Sequence, residues 1–279
     1  MTDQHSRVRT RQPANPDIDA RVPSPARLYN YLAGGSGHFA ADRRVADRLA
    51  ASLPGGLDTV RAAVDALGAF VERAVLHLVD DAGLRQFLVV GVPVPAGRQV
   101  HEVAEKSAPD ARVVYVGNDP VVLAHAHELT RGSPEGATAY VEGVLHDADG
   151  IWEAAGETLD LSHPVAVLVP VTLCLVADAD DPWGSLRRLL ATVPSGSHLV
   201  IAHATSDIPV EGFEEATRRL SEALPGAYAI RSRADIARFV EGLELVEPGL
   251  VQVDAWRWPA DVDPPAAVMP ILGAVARVP

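Results

Sequence analysis

Four short stretches of the chain hold residues whose types and spacing could do chemistry. Gly91-Val92-Pro93-Val94-Pro95-Ala96-Gly97, Gly117-Asn118-Asp119-Pro120 and Gly143-Val144-Leu145-His146-Asp147 each follow a run rich in β-branched residues, and Leu173-Cys174-Leu175 follows a fourth. A glycine at a strand end lets backbone come close to a ligand. An acid there either accepts from a ligand's hydroxyls or caps the next helix, and Asp119, followed by Pro120, reads as a cap. His101-Glu102 opens a helix and reads as a capping or surface pair, with ligand contact as the alternative. His125 and His127 stand two apart on a predicted helix and so face different directions, which favours solvated positions over metal ligands. His163 and His203 flank strands without a partner at metal-ligand spacing. Asp178, Asp180 and Asp181 read as a solvated loop with a helix cap rather than a cation site. Trp256 and Trp258 alternate on a predicted strand and read as core or cap packing, with substrate stacking as the alternative. Cys174 is the only cysteine, so no intrachain disulfide forms, and it reads as a small core residue. The sequence carries no Ser-His-Asp order, P-loop or zinc signature.

Positioning these stretches requires alternating strands and helices. Residues 1–23 are polar and aperiodic and are expected to form a disordered tail. Ser24-Pro25 predicts a helix start, with helices over Ala26 to Leu32, Phe39 to Leu53 and, from Asp58 as N-cap, to Gly83. Strands are predicted at Gln86 to Val90, Arg112 to Val116, Thr138 to Glu142, Val165 to Val171 and His198 to His203. Helices are predicted over Val100 to Ser107, from Asp119-Pro120 to Thr130, from Asp181-Pro182 to Thr192, over Gly212 to Leu224 and over Ser232 to Glu241. The end is β-rich, at Leu243 to Val246, Val251 to Trp256 and Ala267 to Val278, and the last two are too close for a crossover helix. The pattern predicts a mostly parallel sheet covered by helices on both faces, finished by an antiparallel pair.

Composition narrows the function. The 279 residues fit one large α/β domain with a smaller cap, and the 48% hydrophobic content supplies a core. A formal net charge of -13 opposes a nucleic-acid partner. The longest apolar run, Pro164 to Ala177, is short for a membrane span and contains two prolines. With no signal pattern at the start, a cytoplasmic protein is expected.

The stretches PARLYNYLAGGSGHFAADR, RQFLVVG, VHEVAEKSAPDARVVYVGNDPVVLAHA, HPVAVLVPVTLCLVADADDP, GSHLVIAHAT and GLELVEPGLVQVDAWRW together resemble the actinobacterial S-adenosyl methyltransferase family, long known only as a domain of unknown function. The resemblance runs from about Pro23 to the C-terminus. It implies a class I methyltransferase-like Rossmann sheet of seven strands, the last antiparallel, over residues 83–279, with a helical cap over residues 24–82. It implies S-adenosylmethionine as cofactor and a small-molecule ligand, and leaves a homo-oligomer open. By the same resemblance, Gly91, Gly117, Asn118, Asp119, Leu145 and Val171 would line the cofactor crevice, with Tyr31 and Gly35 reaching it from the cap.

The chain departs from the family pattern at each strand end. Where the family reads Phe-Leu-Asp-(Ile/Leu)-Gly-(Thr/Ser)-Gly, this chain has Val89 for the acid and Pro93 for the second glycine, and proline adds a ring and removes an N–H. Gly117 replaces the acid that meets the ribose hydroxyls, Val144 the acid near the adenine amino group, and Cys174 the usual histidine. Each lost charge-assisted hydrogen bond is worth roughly 1.5–3 kcal/mol, so two losses weaken binding by roughly 10²–10⁴-fold. Two functions follow as expectations: a small-molecule methyltransferase with a degraded cofactor site, or a non-catalytic relative serving as a ligand-binding or interaction module.

Overall fold

The structure is a computed structural model that describes residues 18–91, 98–124, 133, 135–224, 228–259 and 270–279. Three helices precede the first strand. α1 (Pro25–Leu32) begins where Pro25 presets the helical φ, and Ser24 holds the N-cap position without a side-chain cap bond. α2 (Ala40–Ala50) starts instead with an acid at its third position, and Asp42 accepts from the Phe39 N–H at 2.7 Å. α3 (Leu57–Asp80) has Gly56 at its N-cap, and the expected cap, Asp58, lies in its first turn. The shift follows from Gly55 and Gly56, whose φ values of 78° and 58° carry the turn directly into the helix.

The sheet comprises β1 (Gln86–Val90), β2 (Arg112–Gly117), β3 (Ala137–Glu142), β4 (Ala166–Val169), β5 (His198–Ala204), β6 (Glu244–Leu245), β7 (Val251–Gln252) and β8 (Ile271–Arg277). The order is β3-β2-β1-β4-β5-β8-β6, with β7 also paired to β8. Strands β1 to β5 pair in parallel, and β8 runs antiparallel to β5, as expected. Eight strands are present where seven were expected. β6 meets Arg277 and Ala276, β7 meets Gly273 and Leu272, and β5 fills the other edge of β8. The two fragments therefore share one lateral place, and the sheet is seven strands wide.

Between the strands lie α4 (Val100–Ala104), α5 (Pro120–Ala124), α6 (Ala148–Ala155), α7 (Pro182–Leu190), α8 (Phe213–Ala223) and α9 (Arg233–Ala237). α4 stops short of the expected Ser107. The rest of the helix predicted to Thr130, with His125 and His127, lies outside the described residues, as do Pro93 and Ala267 to Met269. The pattern reading missed α6, although Asp147 caps it by accepting from Gly150 N–H at 3.2 Å. The predicted strand Val251 to Trp256 ends after Gln252 because the chain turns there. Trp256 is fully buried against Phe70 (5.6 Å between ring centroids), and Trp258 lies under Arg73. Their alternation on one strand face is thus replaced by separate packing sites.

Period-two alternation splits the core. Phe87 and Val89 face a cluster with Phe70 and Val75 of α3 and Val103 of α4, while Leu88 and Val90 face one with Ile151 of α6 and Leu189 of α7. Phe70 packs so tightly on β8 that a Cβ at Gly273 would stand 2.8 Å from its Cζ. A third cluster joins α1, α2 and the start of α3 to α8 and Cys174.

A candidate ligand site at the carboxyl edge of the sheet

β1 pairs with both β2 and β4, so the chain reverses its direction of winding there. Parallel sheets open a ligand crevice outside the carboxyl ends of such strands. Gly91 stands at that point with φ 90°, a conformation that disfavours any side chain, and its N–H donates to Val116 O at 2.8 Å. Thr172, just beyond β4, donates its hydroxyl to Val90 O at 2.8 Å. A Cβ on Gly91 would collide with that hydroxyl, so Thr172 fills the space the glycine leaves. The sequence reading missed Thr172, whose position depends on the register between β1 and β4.

At the next strand end, Gly117 offers no side chain, and its carbonyl accepts from Gly143 N–H at 3.1 Å. Asn118 is exposed. Asp119 is engaged on both oxygens. Oδ1 accepts from Val121 N–H (2.8 Å) and Val122 N–H (3.3 Å), which is the expected cap of α5. Oδ2 takes the Ser24 hydroxyl and lies 3.4 Å from the Arg27 guanidinium. Arg27 also pairs with Asp42 at 3.0 Å, with side chains 5% and 0% exposed, and its guanidinium lies over the Phe39 ring. This buried clasp carries the start of α1 to the carboxyl edge of β2. The sequence reading did not find it, because Arg27, Asp42 and Asp119 are far apart in sequence.

The other residues named from the sequence have varied surroundings. Leu145 is buried in the core with Ile151, Val144 is half-buried, and His146 and Asp147 are exposed. Val89 is buried and Val171 half-buried in the cluster that also receives Tyr29, Phe39 and Tyr140. Tyr31 packs on the cluster that joins the N-terminal helices to α8 and Cys174. Tyr31 packs edge-on against His38 (4.9 Å) with Arg61 over its ring, and Gly35 abuts the Asn30 side chain. Burial, with Asp65 nearby, raises the Tyr29 phenol to about 12. Burial, then Asp119 and Glu142, also raises the Tyr140 phenol, whose hydroxyl is enclosed without a hydrogen-bond partner.

The remaining polar groups serve structure. His101 is buried, and its backbone N–H and Nδ1 both meet the Tyr115 hydroxyl (3.1 and 2.9 Å), so it is not a surface residue. His203 has Nδ1 at 2.7 Å from Ala204 O and its other nitrogen at 2.6 Å from Arg231. Arg231 further binds Leu173 O and Asp178, pinning the loop after β4. Asp181 caps α7 through Gly184 N–H at 2.9 Å. Cys174 is buried, with Ala204 N–H directed at its sulfur. Among the described residues, no three His, Cys, Asp or Glu side chains form a group able to hold a metal ion, and no helix is long and apolar enough to cross a membrane.

A concavity of about 770 Å³ opens at the opposite, amino edge of the sheet. We assign the family-type site to the carboxyl edge because the glycine ends and the switch point lie there.

The family model described as S-adenosyl methyltransferase matches residues 11–279. A solved structure of a DUF574 family protein from Streptomyces avermitilis is 37% identical, covers 94% of this chain and 99% of its own, and superposes with a TM-score of 0.87. A putative methyltransferase from Thermobifida fusca is 30% identical, with coverages of 92% and 96% and a TM-score of 0.80. No curated protein matches the chain. The family's cofactor is S-adenosylmethionine, and by the extent of these matches the chain belongs to the S-adenosyl methyltransferase family.

Proposed function

We propose that this chain keeps the methyltransferase fold and a small-molecule crevice at the carboxyl edge, but binds S-adenosylmethionine weakly or not at all. In this reading residues 24–82 act as the cap, and Gly91, Gly117, Asn118, Asp119 and Val171 border the crevice. The observation that carries it is the state of the β2 end. Gly117 has no side-chain acceptor, and the neighbouring carboxylate, Asp119, already serves the α5 N-terminus, Ser24 and Arg27. A ribose diol needs an acceptor with lone pairs to spare, and freeing Asp119 would leave the buried Arg27 less well paired. Thr172 supports the same reading by filling the approach over Gly91. The residues present therefore do not fit the family cofactor.

Calorimetric titration of the full chain with S-adenosylmethionine tests this. The expected result is no saturation in the low micromolar range, and a low micromolar dissociation constant would overturn the reading. The triple variant Val89→Asp, Gly117→Asp, Val144→Asp should bind more tightly than the parent. No gain would assign the block to loop geometry rather than to the missing acids.

A further inference from the structure

We propose that the amino-edge groove is a binding site for a small amphipathic organic anion, filled preferentially below neutral pH. The groove runs past the starts of β1, β2, β4 and β5 and the end of β8, beside the C-terminus of α3. Its volume of about 770 Å³ suits a small molecule, and Leu84, Pro164 and Val246 give it an apolar wall. At neutral pH its fixed charges balance, with Arg85, Arg112 and Arg277 against Asp81, Asp110 and Asp160. Three histidines line the same groove, His77, His163 and His198, so acidification decides its sign.

The pairings favour an anion. Asp81 is covered by His77 (2.6 Å) and by Arg257 from beyond the groove (3.1 Å). Asp160 is covered by His163 at 3.0 Å and by the Ser162 hydroxyl. Asp110 lies 3.6 Å from Arg85, whose guanidinium also binds the Val79 and Leu84 carbonyls. Arg277 pairs with Glu244 at 2.7 Å. Arg112 donates to the Thr158 carbonyl at 2.9 Å, and among the described residues no carboxylate lies within ion-pair distance of it. Each aspartate that would repel an anion thus has a cation or a chargeable ring on it, while Arg112 keeps an uncompensated charge. His77 Nδ1 also lies 2.9 Å from the Arg257 guanidinium. His198 is buried with Nδ1 at 3.0 Å from Gly196 O, and burial, with His77 and Arg277 facing it, holds its imidazole below the ordinary value. A bound anion offsets that crowding. The rest of the chain, with its net charge of -13, repels anions, so such binding has to be local.

The test uses the full chain and naphthalene-2-sulfonate, whose charge is constant across the range, in calorimetric titrations at about pH 5.5 and about pH 8. Binding should be roughly tenfold tighter at the acid pH. His163→Asn, an exposed position, should reduce that pH dependence, and Arg112→Gln should weaken binding at both pH values. Arg277→Gln provides a second variant if Arg112→Gln does not fold. Absent binding at the acid pH, equal affinity at both, or affinity unchanged in a folded arginine variant would each overturn the proposal. This site does not depend on the reading of the carboxyl edge, since its probe carries neither ribose nor adenine.

Discussion

Gly91 and Thr172 act as one unit, although eighty residues separate them. The glycine's role was readable, because a glycine after a buried apolar run announces a turn or a close approach. Its partner was not, since nothing local marks Thr172 as the residue whose hydroxyl fills the gap. Gly91→Ala meets two penalties, strain at φ 90° and the collision with that hydroxyl. It should lower stability by roughly 1–3 kcal/mol, read from urea denaturation midpoints. Thr172→Ala removes one hydrogen bond to Val90 O and should cost about 0.5–1.5 kcal/mol. It should also raise the affinity for S-adenosylmethionine, and an unchanged titration would show that the hydroxyl is no obstacle.

At the scale of elements, the clasp joins α1 and α2 to the loop after β2 at the carboxyl edge. Asp42 takes the Ser24 N–H (2.9 Å), the Phe39 N–H and the Arg27 guanidinium while fully buried. Asp42→Ala leaves a buried guanidinium short of a partner and should cost roughly 3–5 kcal/mol in urea unfolding. The double variant Arg27→Met with Asp42→Leu should cost clearly less, because no charge is stranded. The helices themselves were legible where apolar periodicity and a cap coincided, as at α7. α6 was overlooked because its eight residues follow a loop-like Gly-Val-Leu-His-Asp stretch, and the cap Asp147 was weighed as a ligand residue. The Val251 to Trp256 segment shows the opposite failure. Its β-like composition served burial of Trp256 under α3, and packing overrode strand propensity.

For the molecule as a whole, the mostly parallel sheet and its antiparallel finish followed from alternation and spacing, while the strand order and the sharing of one edge by two fragments depended on tertiary pairing. The buried edge residues also set a pH response. Burial holds the His198 imidazole below its ordinary value, with His77 and Arg277 adding to the effect. The unfolded chain therefore takes up this proton more readily than the folded one. The associated stability is present above the ordinary histidine value of about 6.5 and is lost as pH falls below it. Thermal unfolding should show a midpoint that declines on mild acidification, and His198→Asn should flatten that decline. An unchanged slope in the variant would move the effect to other groups.

The place of β8 also bears on how the chain is made. Seven residues near the end of the sequence supply the strand that β5 needs on one side and β6 and β7 need on the other. During synthesis, β1 to β5 can pair in parallel while neither β6 nor β7 has its partner strand. Until residues 271–277 emerge, the outer edge of β5 presents open N–H and C=O groups to any passing strand. The nascent protein is thus most exposed to misassociation between the synthesis of β5 and that of β8, and a ribosome that pauses within residues 205–270 prolongs that interval.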